Sequence, residues 1–354
     1  MNLKPYKNSI ASAIIKVSAL LLMMGITTNI FAQNNDRART NIGLFYPLSS
    51  NGSNAPRDTN TFSFNLLAGV SAAEQGFTLA GFSNVVHHNA RGFQIAGFSN
   101  HIGNNADGVM VAGFLNTYGG GNGEAIAGFA NIARSSNGTQ VAGFLNKGGN
   151  ISSLQVAGFM NVARDLKGTQ VAGFLNIAKK SKGTQIGFIN IADSASTQIG
   201  IINLAKNGEK SFGLSIDETQ TTILSFRSGG NVFYGIVGVG YNFNNKKQKY
   251  AYQAGIGAHV LSTGIFRLKT ELISSGLESF KGGEYLKSSF YLLPALKITK
   301  SIEIFAGPSF NFINTDTVEG RNMIKNYVSS WTRNNDRDFY GFYFGYTAGI
   351  QVHF

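Results

Sequence analysis

Three histidines are the residues that come nearest to a metal-binding pattern in this chain. Neutral imidazoles bind transition metals, so His87, His88 and His101 are the candidate ligands. His87 and His88 are adjacent, so on a strand or a turn their side chains point apart. The sequence contains no cysteine, and no carboxylate accompanies the pair. We therefore expect no metal site.

Carboxylates are scattered along the sequence. No spacing places two of them across one cleft, as hydrolysis by a carboxylate pair requires, among Asp193, Asp217, Glu218, Glu271 and Glu303. The glycine run at residues 119–121 lacks the lysine and the serine or threonine of a phosphate-binding loop. Acid–base catalysis needs positioned titratable groups, and this chain offers few. The sequence predicts a protein that is not an enzyme and that holds no cofactor.

The long polar stretch at residues 314–338 is the candidate partner-binding loop. It contains the only tryptophan of the chain together with several arginines. Aromatic and arginine side chains are over-represented at binding hot spots. The candidate binding residues are Arg321, Lys325, Tyr327, Trp331, Arg333 and Arg337.

The chain is basic, with a formal net charge of +12. Its lysines are concentrated in polar turns, for example Lys179, Lys180, Lys182, Lys246, Lys247 and Lys249. Solvated turns that protect strand edges explain this pattern, and attraction to anionic lipid headgroups or to an anionic surface polysaccharide is the alternative. We expect no nucleic-acid partner, because no basic stripe with interleaved aromatic residues is present.

A short sequence motif, repeated nine times between residues 76 and 203, forms the element that must position these groups. Residues 168–176 (GTQVAGFLN) are its clearest copy. A phenylalanine stands two residues before the last asparagine in eight copies, and Ile201 replaces it in the ninth. A period this short holds one strand and one turn. The copies end, 13 to 16 residues apart, on Asn84, Asn100, Asn116, Asn131, Asn146, Asn161, Asn176, Asn190 and Asn203.

Two arrangements are compatible with this unit. In a parallel β-solenoid each copy is one rung, identical residues stack about 4.8 Å apart, and asparagine and glutamine form ladders. In one large antiparallel barrel that includes the repeat strands, asparagine would alternate between the two ends of the sheet. We favour the solenoid and expect the phenylalanines to form its core. The large barrel stays open, because a membrane strand needs only about nine to eleven residues.

The chain divides into four segments. Residues 1–32 are typical of a secretory signal peptide, with lysines before a short apolar run and an alanine at the cleavage point. We assign residues 33–75 to N-terminal strands or a cap, residues 76–209 to the repeats, and residues 210–354 to an outer-membrane β-barrel region.

Connections of alternating length predict the barrel. Tight connections at residues 228–230, 262–264 and 299–301 alternate with long polar ones at residues 244–249, 275–287 and 314–338. Short turns at one end and long loops at the other are typical of outer-membrane barrels. The last strand has one apolar face, and we expect its membrane-facing residues to be Phe342, Phe344, Tyr346, Ile350, Val352 and Phe354.

The end of the chain resembles the targeting signal that the outer-membrane barrel assembly machinery recognises, because a terminal phenylalanine follows apolar residues at every second position. Residues 304–310 (IFAGPSF) resemble small outer-membrane barrels of Bacteroidota. The QIGFIN and QVAGFLN copies resemble a surface-repeat family described in Leptospira and common in Bacteroidota. These resemblances imply a surface protein of the cell outer membrane, with membrane lipid and the assembly machinery as partners and no established activity.

The sequence thus predicts an all-β protein in which a repeat array precedes an antiparallel barrel. The expected function is that of a non-enzymatic outer-membrane repeat protein with a structural, adhesive or binding role. The alternative is a pore or transport protein, if the repeat strands form part of one large barrel.

Overall fold

The computed structural model describes residues 40–245, 247–334 and 336–354. The predicted signal peptide at residues 1–32 lies outside these ranges. The described chain is almost entirely β-structure and forms one sheet of 19 strands followed by one of nine strands. In the described ranges, no helix is long and apolar enough to cross a membrane.

The first sheet is a β-solenoid, in which each turn of the chain pairs with the turns before and after it. Apart from the antiparallel pair of the first two strands, its described strands pair in parallel. The strands are β1 Thr40–Phe45, β2 Leu48–Ser49, β3 Thr59–Ser71, β4 Ala73–Ala80, β5 Ser83–Val86, β6 Ala90–Ala96, β7 Ser99–Ala112, β8 Leu115–Gly120, β9 Glu124–Ala127, β10 Ala130–Ala133, β11 Ser135–Ser136, β12 Gln140–Ala142, β13 Leu145–Ile151, β14 Leu154–Ala157, β15 Met160–Leu166, β16 Thr169–Ala172, β17 Leu175–Ile186, β18 Ile189–Ile199 and β19 Ile202–Ala205.

Register in the solenoid places each residue on its own equivalent in the next rung. Asn146, for example, is paired with Asn131 on one side and with Asn161 on the other. This stacking confirms the solenoid that the repeat favours. It also shows that the alternative of one large barrel including the repeat strands is wrong, because parallel rungs cannot form an antiparallel meander.

Asparagine and glutamine side chains form ladders inside the solenoid. Each asparagine from Asn84 to Asn190 donates from Nδ2 to Oδ1 of the next asparagine at 2.8–3.0 Å. Five glutamines from Gln140 to Gln198 form a second ladder at 2.7–2.9 Å. These amides are at most 2% exposed. Because a buried amide without a partner costs about 1–3 kcal/mol, the ladders make the register specific.

The phenylalanine column lies on the outside of the solenoid, so the expectation that it forms the core is wrong. Its rings, from Phe82 to Phe188, are 38–53% exposed and stack with centroids 4.7–6.1 Å apart. The inward positions around the corner are occupied by alanine and asparagine, for example Ala157 and Asn161 on either side of Phe159, so the ring between them points outward. Each ring instead follows a corner glycine. A Cβ on Gly173 would lie 2.3 Å from the Gly158 carbonyl oxygen.

The second sheet closes into an eight-stranded antiparallel barrel, because its last long strand pairs back with its first. An additional short strand in the last loop extends one edge. The first strand of the barrel, Glu209–Asp217, directly follows the last rung of the solenoid. The strands are β20 Glu209–Asp217, β21 Thr221–Gly229, β22 Phe233–Asn242, β23 Tyr250–Thr263, β24 Phe266–Glu278, β25 Tyr285–Lys297, β26 Ile302–Thr315, β27 Ser329–Arg333 and β28 Asp338–His353.

The two ends of the barrel differ in the length of their connections. At the end where the solenoid joins and where the chain reaches Phe354, turns of two to four residues link β21 to β22, β23 to β24 and β25 to β26. We call this the short-turn end. The opposite, long-loop end carries residues 243–249, 279–284 and 316–337, the last including the short helix α1 Val318–Asn322, together with the three-residue connection 218–220. A 3-10 helix at Gly52–Arg57 lies near the start of the solenoid.

The last rung of the solenoid ends against the outer wall of the barrel. The Asn203 backbone amide, at the open edge of this rung, donates to Ser228 Oγ at 3.1 Å. A Cβ on Gly235 would lie 2.0 Å from the Ile201 carbonyl oxygen. Ser228 and Gly235 face outward, since they alternate with inward-facing residues such as Arg227, and both are buried. The open edge of the solenoid is therefore directed at the side wall of the barrel.

The asparagine ladder gives a first prediction. Replacing Asn161 by alanine removes the acceptor of Asn146 and the donor to Asn176. We expect the neighbouring rungs to lose about 2–4 kcal/mol, because two buried amide groups lose a partner. Hydrogen-exchange mass spectrometry of the full chain measures this loss as faster exchange in the repeats, with barrel peptides as the internal reference.

The matched control is Asn137→Ala. Asn137 bonds the equivalent Asn122 at 3.1 Å, but in an exposed turn. We expect a change within about 0.5 kcal/mol. Equal effects of the two substitutions would show that the inner ladder contributes no more than a surface hydrogen bond.

Candidate functional site

The predicted binding residues of the last loop do not form one site. Arg321 donates to the backbone carbonyls of Asp336 and Arg337, the latter at 2.8 Å. The Tyr327 hydroxyl donates to the Arg321 carbonyl at 2.9 Å. These contacts fold the loop back on itself. Lys325 and Arg337 have exposed side chains on its surface.

Trp331 and Arg333 belong to a different surface, an aromatic belt on the outside of the barrel near its long-loop end. The Trp331 ring stacks on Tyr340 with centroids 5.6 Å apart and lies 5.8 Å from the Phe342 ring. The Arg333 guanidinium lies 5.7 Å from the Tyr340 centroid. Phe312 continues the belt, 5.0 Å from Phe342. Such rings are typical of the membrane–water boundary of a barrel.

The structure places the predicted membrane-facing residues on the outer face of β28. Phe342 is half-buried in the aromatic belt. The other five are 42–72% exposed: Phe344, Tyr346, Ile350, Val352 and Phe354.

The three histidines remain apart from any carboxylate cluster. His87 and His88 are exposed, whereas His101 is half-buried on the solenoid wall. His101 Nδ1 lies 2.7 Å from Thr117 Oγ1 of the next rung, and burial lowers the pKa of His101. Among the described residues, no three histidine, aspartate or glutamate side chains are grouped as a metal site would need.

Four of the carboxylates that are scattered in the sequence meet inside the barrel. Glu271 accepts two bonds from the Arg227 guanidinium, at 3.0 and 3.1 Å, and a third from the Tyr234 hydroxyl at 2.8 Å. Lys269 Nζ lies 2.6 Å from Glu303 Oε1. The other two carboxylates, Asp217 and Glu218, lie within 3.5 Å of Lys287 Nζ. Asp193 instead pairs with Lys206 at the solenoid surface.

The sequence did not predict this cluster of charged side chains, because strand pairing brings together residues that are far apart in the chain. Arg227 and Glu271, for example, are separated by 44 positions. The available signal was alternation: Arg267, Lys269 and Glu271 occupy every second position of one strand. That pattern is typical of the polar interior of a barrel.

The described interior side chains fill the barrel. Two cavities inside it have volumes of about 20 Å³ each, which is room for one water molecule. An eight-stranded barrel is just wide enough for its own side chains. The pore or transport alternative, which required one large barrel enclosing a channel, therefore has no support in the fold.

A broad apolar surface follows the outside of the solenoid. Eight rings at about 4.8 Å per rung extend over roughly 34 Å, and partly exposed Val141 and Ile186 on one side and Ile132 and Ile191 on the other widen the surface. Apolar patches larger than a few hundred Å² are rare on soluble monomers and mark sites of interaction. We call the central column the phenylalanine ridge: Phe82, Phe98, Phe114, Phe129, Phe144, Phe159, Phe174 and Phe188, with Ile201 at its end.

Backbone groups along the ridge are bonded from rung to rung. The Phe174 and Leu175 amides both donate to the Phe159 carbonyl, at 3.3 and 2.9 Å, and the Gly173 amide donates to the Ala157 carbonyl at 3.2 Å. An apolar ligand can therefore cover the ridge without breaking a hydrogen bond.

Charged side chains are concentrated on the opposite edge of the solenoid. The turns after the repeat asparagines of the later copies carry them, and we call this the charged edge. Its exposed members include Arg134, Arg164, Lys167, Lys179, Lys180 and Lys182. The later copies of the solenoid thus have one apolar and one charged side, whereas the ridge runs through every copy, which makes the ridge the candidate functional site.

Comparisons with known proteins add little. No protein-family model and no curated protein matches the sequence. Among solved structures, the chain is similar to the crystal structure of Neisserial surface protein A, with 12% identity over 42% of this chain and 94% of that chain, at a TM-score of 0.23. A similarity this weak carries no argument, so the barrel assignment depends on the strand pairing alone.

The barrel interior gives a second prediction. Replacing Glu271 by alanine leaves the buried Arg227 guanidinium without its carboxylate, and breaking a buried pair costs about 3–5 kcal/mol. We expect the barrel of this variant to unfold at a lower urea concentration in detergent, measured by gel mobility of the folded barrel. Glu284→Ala, in an exposed loop position, is the control and should stay within about 0.5 kcal/mol of wild type. Equal midpoints for the two variants would contradict the buried pair.

Glu74 is a buried acid inside the solenoid. Its carboxylate accepts bonds from Asn60 Nδ2 at 3.1 Å and from Ser63 Oγ at 2.9 Å, and the residue is 2% exposed. Burial raises the pKa of Glu74 above its usual value of 4.5, and the hydrogen bonds only partly oppose this effect.

This raised pKa gives a third prediction. At a pH between the pKa of Glu74 in the unfolded chain and its higher pKa in the folded protein, the folded state binds more protons than the unfolded state. The stability of the fold therefore falls as the pH rises through that window. Glu74→Gln removes the ionisation. We expect this variant to be more stable than wild type at neutral pH and to lose that advantage below pH 4.5, as measured by hydrogen exchange in the first rungs. Glu124→Gln, at an exposed position, is the control; the same pH dependence in both variants would contradict the assignment to Glu74.

Proposed function

We propose that this chain is a non-enzymatic protein of the cell outer membrane, in which the barrel is the anchor and the solenoid is a structural, adhesive or binding module held at the membrane. The main support for the proposal is the contrast between the interior and the outer wall of the barrel. Its interior is charged and filled, and its outer wall is apolar. A barrel that spans a membrane needs this arrangement, and closure satisfies the backbone of every long strand.

The outer wall supports this assignment residue by residue. Inward positions hold Arg227, Lys269, Glu271 and Glu303, which are 0–4% exposed. Outward positions on the same sheet are exposed and aliphatic or aromatic, among them Leu224, Val239, Leu272, Phe290, Leu292, Ile304 and Phe344.

Three further features support the outer membrane as the location. Residues 1–32 are expected to direct export, the aromatic belt fits a membrane boundary, and the terminal phenylalanine resembles the signal for the barrel assembly machinery. Outer-membrane lipid is the partner that this arrangement implies. An anionic surface polysaccharide remains a proposal that depends on the basic composition alone.

Fractionation tests the anchoring. When the full chain is expressed in a Gram-negative host, we expect it in the outer membrane, released only by detergent, and migrating faster on a gel before heating than after. Phe354→Ala should lower the amount inserted, because the terminal aromatic residue is part of the expected assembly signal. Phe280→Ala, which alters an exposed loop phenylalanine, should insert as wild type does. Recovery of folded protein from the soluble fraction would overturn the proposal.

A further inference from the structure

The phenylalanine ridge runs into the apolar wall of the barrel. Its last position, Ile201, lines an open crevice of about 510 Å³ together with the outward-facing Ile256, Leu272, Phe290 and Phe310 of the barrel. These four barrel residues are neighbours across successive strands. The ridge and the barrel wall therefore form one continuous apolar surface across the junction of the two parts.

The charged edge reaches the barrel on the other side of the same junction. Lys206 and Asp193 line a second crevice with Lys210, and Lys210 lies in β20 at the short-turn end. Because the open edge of the solenoid meets the side wall, the stack of rungs extends sideways from the barrel. The ridge adjoins the apolar wall of the barrel, and the charged edge adjoins the end of the barrel that carries the short turns.

The solenoid distributes polar and apolar side chains between inside and outside in a way that is similar to the barrel. Both place hydrogen-bonded polar side chains inside, the amide ladders in one case and the ion pairs in the other, and the ridge exposes apolar side chains as the barrel wall does. Hydrocarbon requires that backbone groups be satisfied internally, and the amides of Gly173, Phe174 and Leu175 at the corner all donate to carbonyls of the preceding rung. A protein interface instead carries about one hydrogen bond per 100–200 Å², and phenylalanine rings supply no such group.

We propose that the phenylalanine ridge is a lipid-binding surface that inserts among the acyl chains of the leaflet at the short-turn end, with the solenoid lying along the membrane. This inference rests on the proposed anchoring by the barrel. The short turns of outer-membrane barrels face the periplasm, so the leaflet is the periplasmic one. The solenoid is then the β-structure counterpart of an amphipathic helix that lies in the interface.

Charge supports this orientation. With the ridge in the acyl region, Lys179, Lys180 and Lys182 of the charged edge lie toward water and the headgroup layer. Basic side chains near a membrane surface are attracted to anionic lipids. The net positive charge of the chain is in keeping with such a surface.

Tryptophan fluorescence in lipid tests the inference. The wild-type chain has one tryptophan, Trp331 in the aromatic belt, so it reports whether the barrel is inserted. In a Trp331→Phe background, Phe144→Trp reports on the ridge and Lys182→Trp on the charged edge. Each full-length protein is reconstituted in vesicles of phosphatidylcholine and phosphatidylglycerol with brominated acyl chains.

We expect bromine to quench Phe144→Trp roughly twofold, as an apolar face buried about 5–10 Å brings the indole close to the bromines. Trp331 should also be quenched, and Lys182→Trp should not. Quenching of Trp331 without quenching of Phe144→Trp would overturn the lipid-binding ridge and leave the anchored barrel intact. If neither is quenched, the anchoring fails and the ridge proposal fails with it.

A second copy of the chain is the competing occupant of the ridge. In that case Phe144→Trp would be shielded from aqueous acrylamide but not quenched by bromine, and crosslinking would give dimers; this result would overturn the proposal. Phe174→Trp, two rungs away, repeats the measurement at an independent position. Hydrogen exchange that matches wild type in the repeats verifies that each variant has folded.

Discussion

Parallel stacking in register is the constraint on which the rest of this structure depends. Once one rung lies over the next, each repeat asparagine from Asn84 to Asn203 meets a copy of itself about 4.8 Å away. Asparagine and glutamine are compatible with this rule because an amide can donate to and accept from its own kind, and alanine is compatible because it is small. The phenylalanines lie outside, where they stack on one another. The constraint that stabilises the interior therefore also creates the ridge.

The barrel reaches the same polarity by a different route. Its antiparallel strands bring unlike residues together, so its interior is held by complementary pairs such as Arg227 with Glu271 and Lys269 with Glu303. Ion pairs of this kind cost desolvation energy and become favourable only when hydrogen bonds satisfy both partners. Because side chains fill the interior of the barrel, a ligand or partner would bind to the outer surfaces of the protein. Small residues at the junction, Ser228 and Gly235, let the last rung approach the wall and join the two apolar surfaces.

The candidate site was only partly predictable. The candidate residues of the last loop were selected by residue type, but residue type does not reveal where a side chain points. Arg321 and Tyr327 form hydrogen bonds within their own loop, whereas Trp331 lies on the barrel wall. The phenylalanine column was evident in the sequence, and its burial was assigned wrongly, because hydrophobicity alone favours the core. The deciding feature was the corner of each rung, which turns the ring outward between inward residues such as Ala157 and Asn161, and residue type does not reveal it.

The sequence by itself determined the repeat, its asparagine and glutamine ladders, and the alternation of short and long connections that predicts a barrel. These features are local or periodic, so spacing alone records them. Only the tertiary structure decided which strand closes the barrel, which distant charges become partners, and which face of each rung points outward. Those outcomes depend on contacts between segments far apart in the chain and on the direction in which each rung turns at its corners, and neither is encoded in the pattern of any one segment.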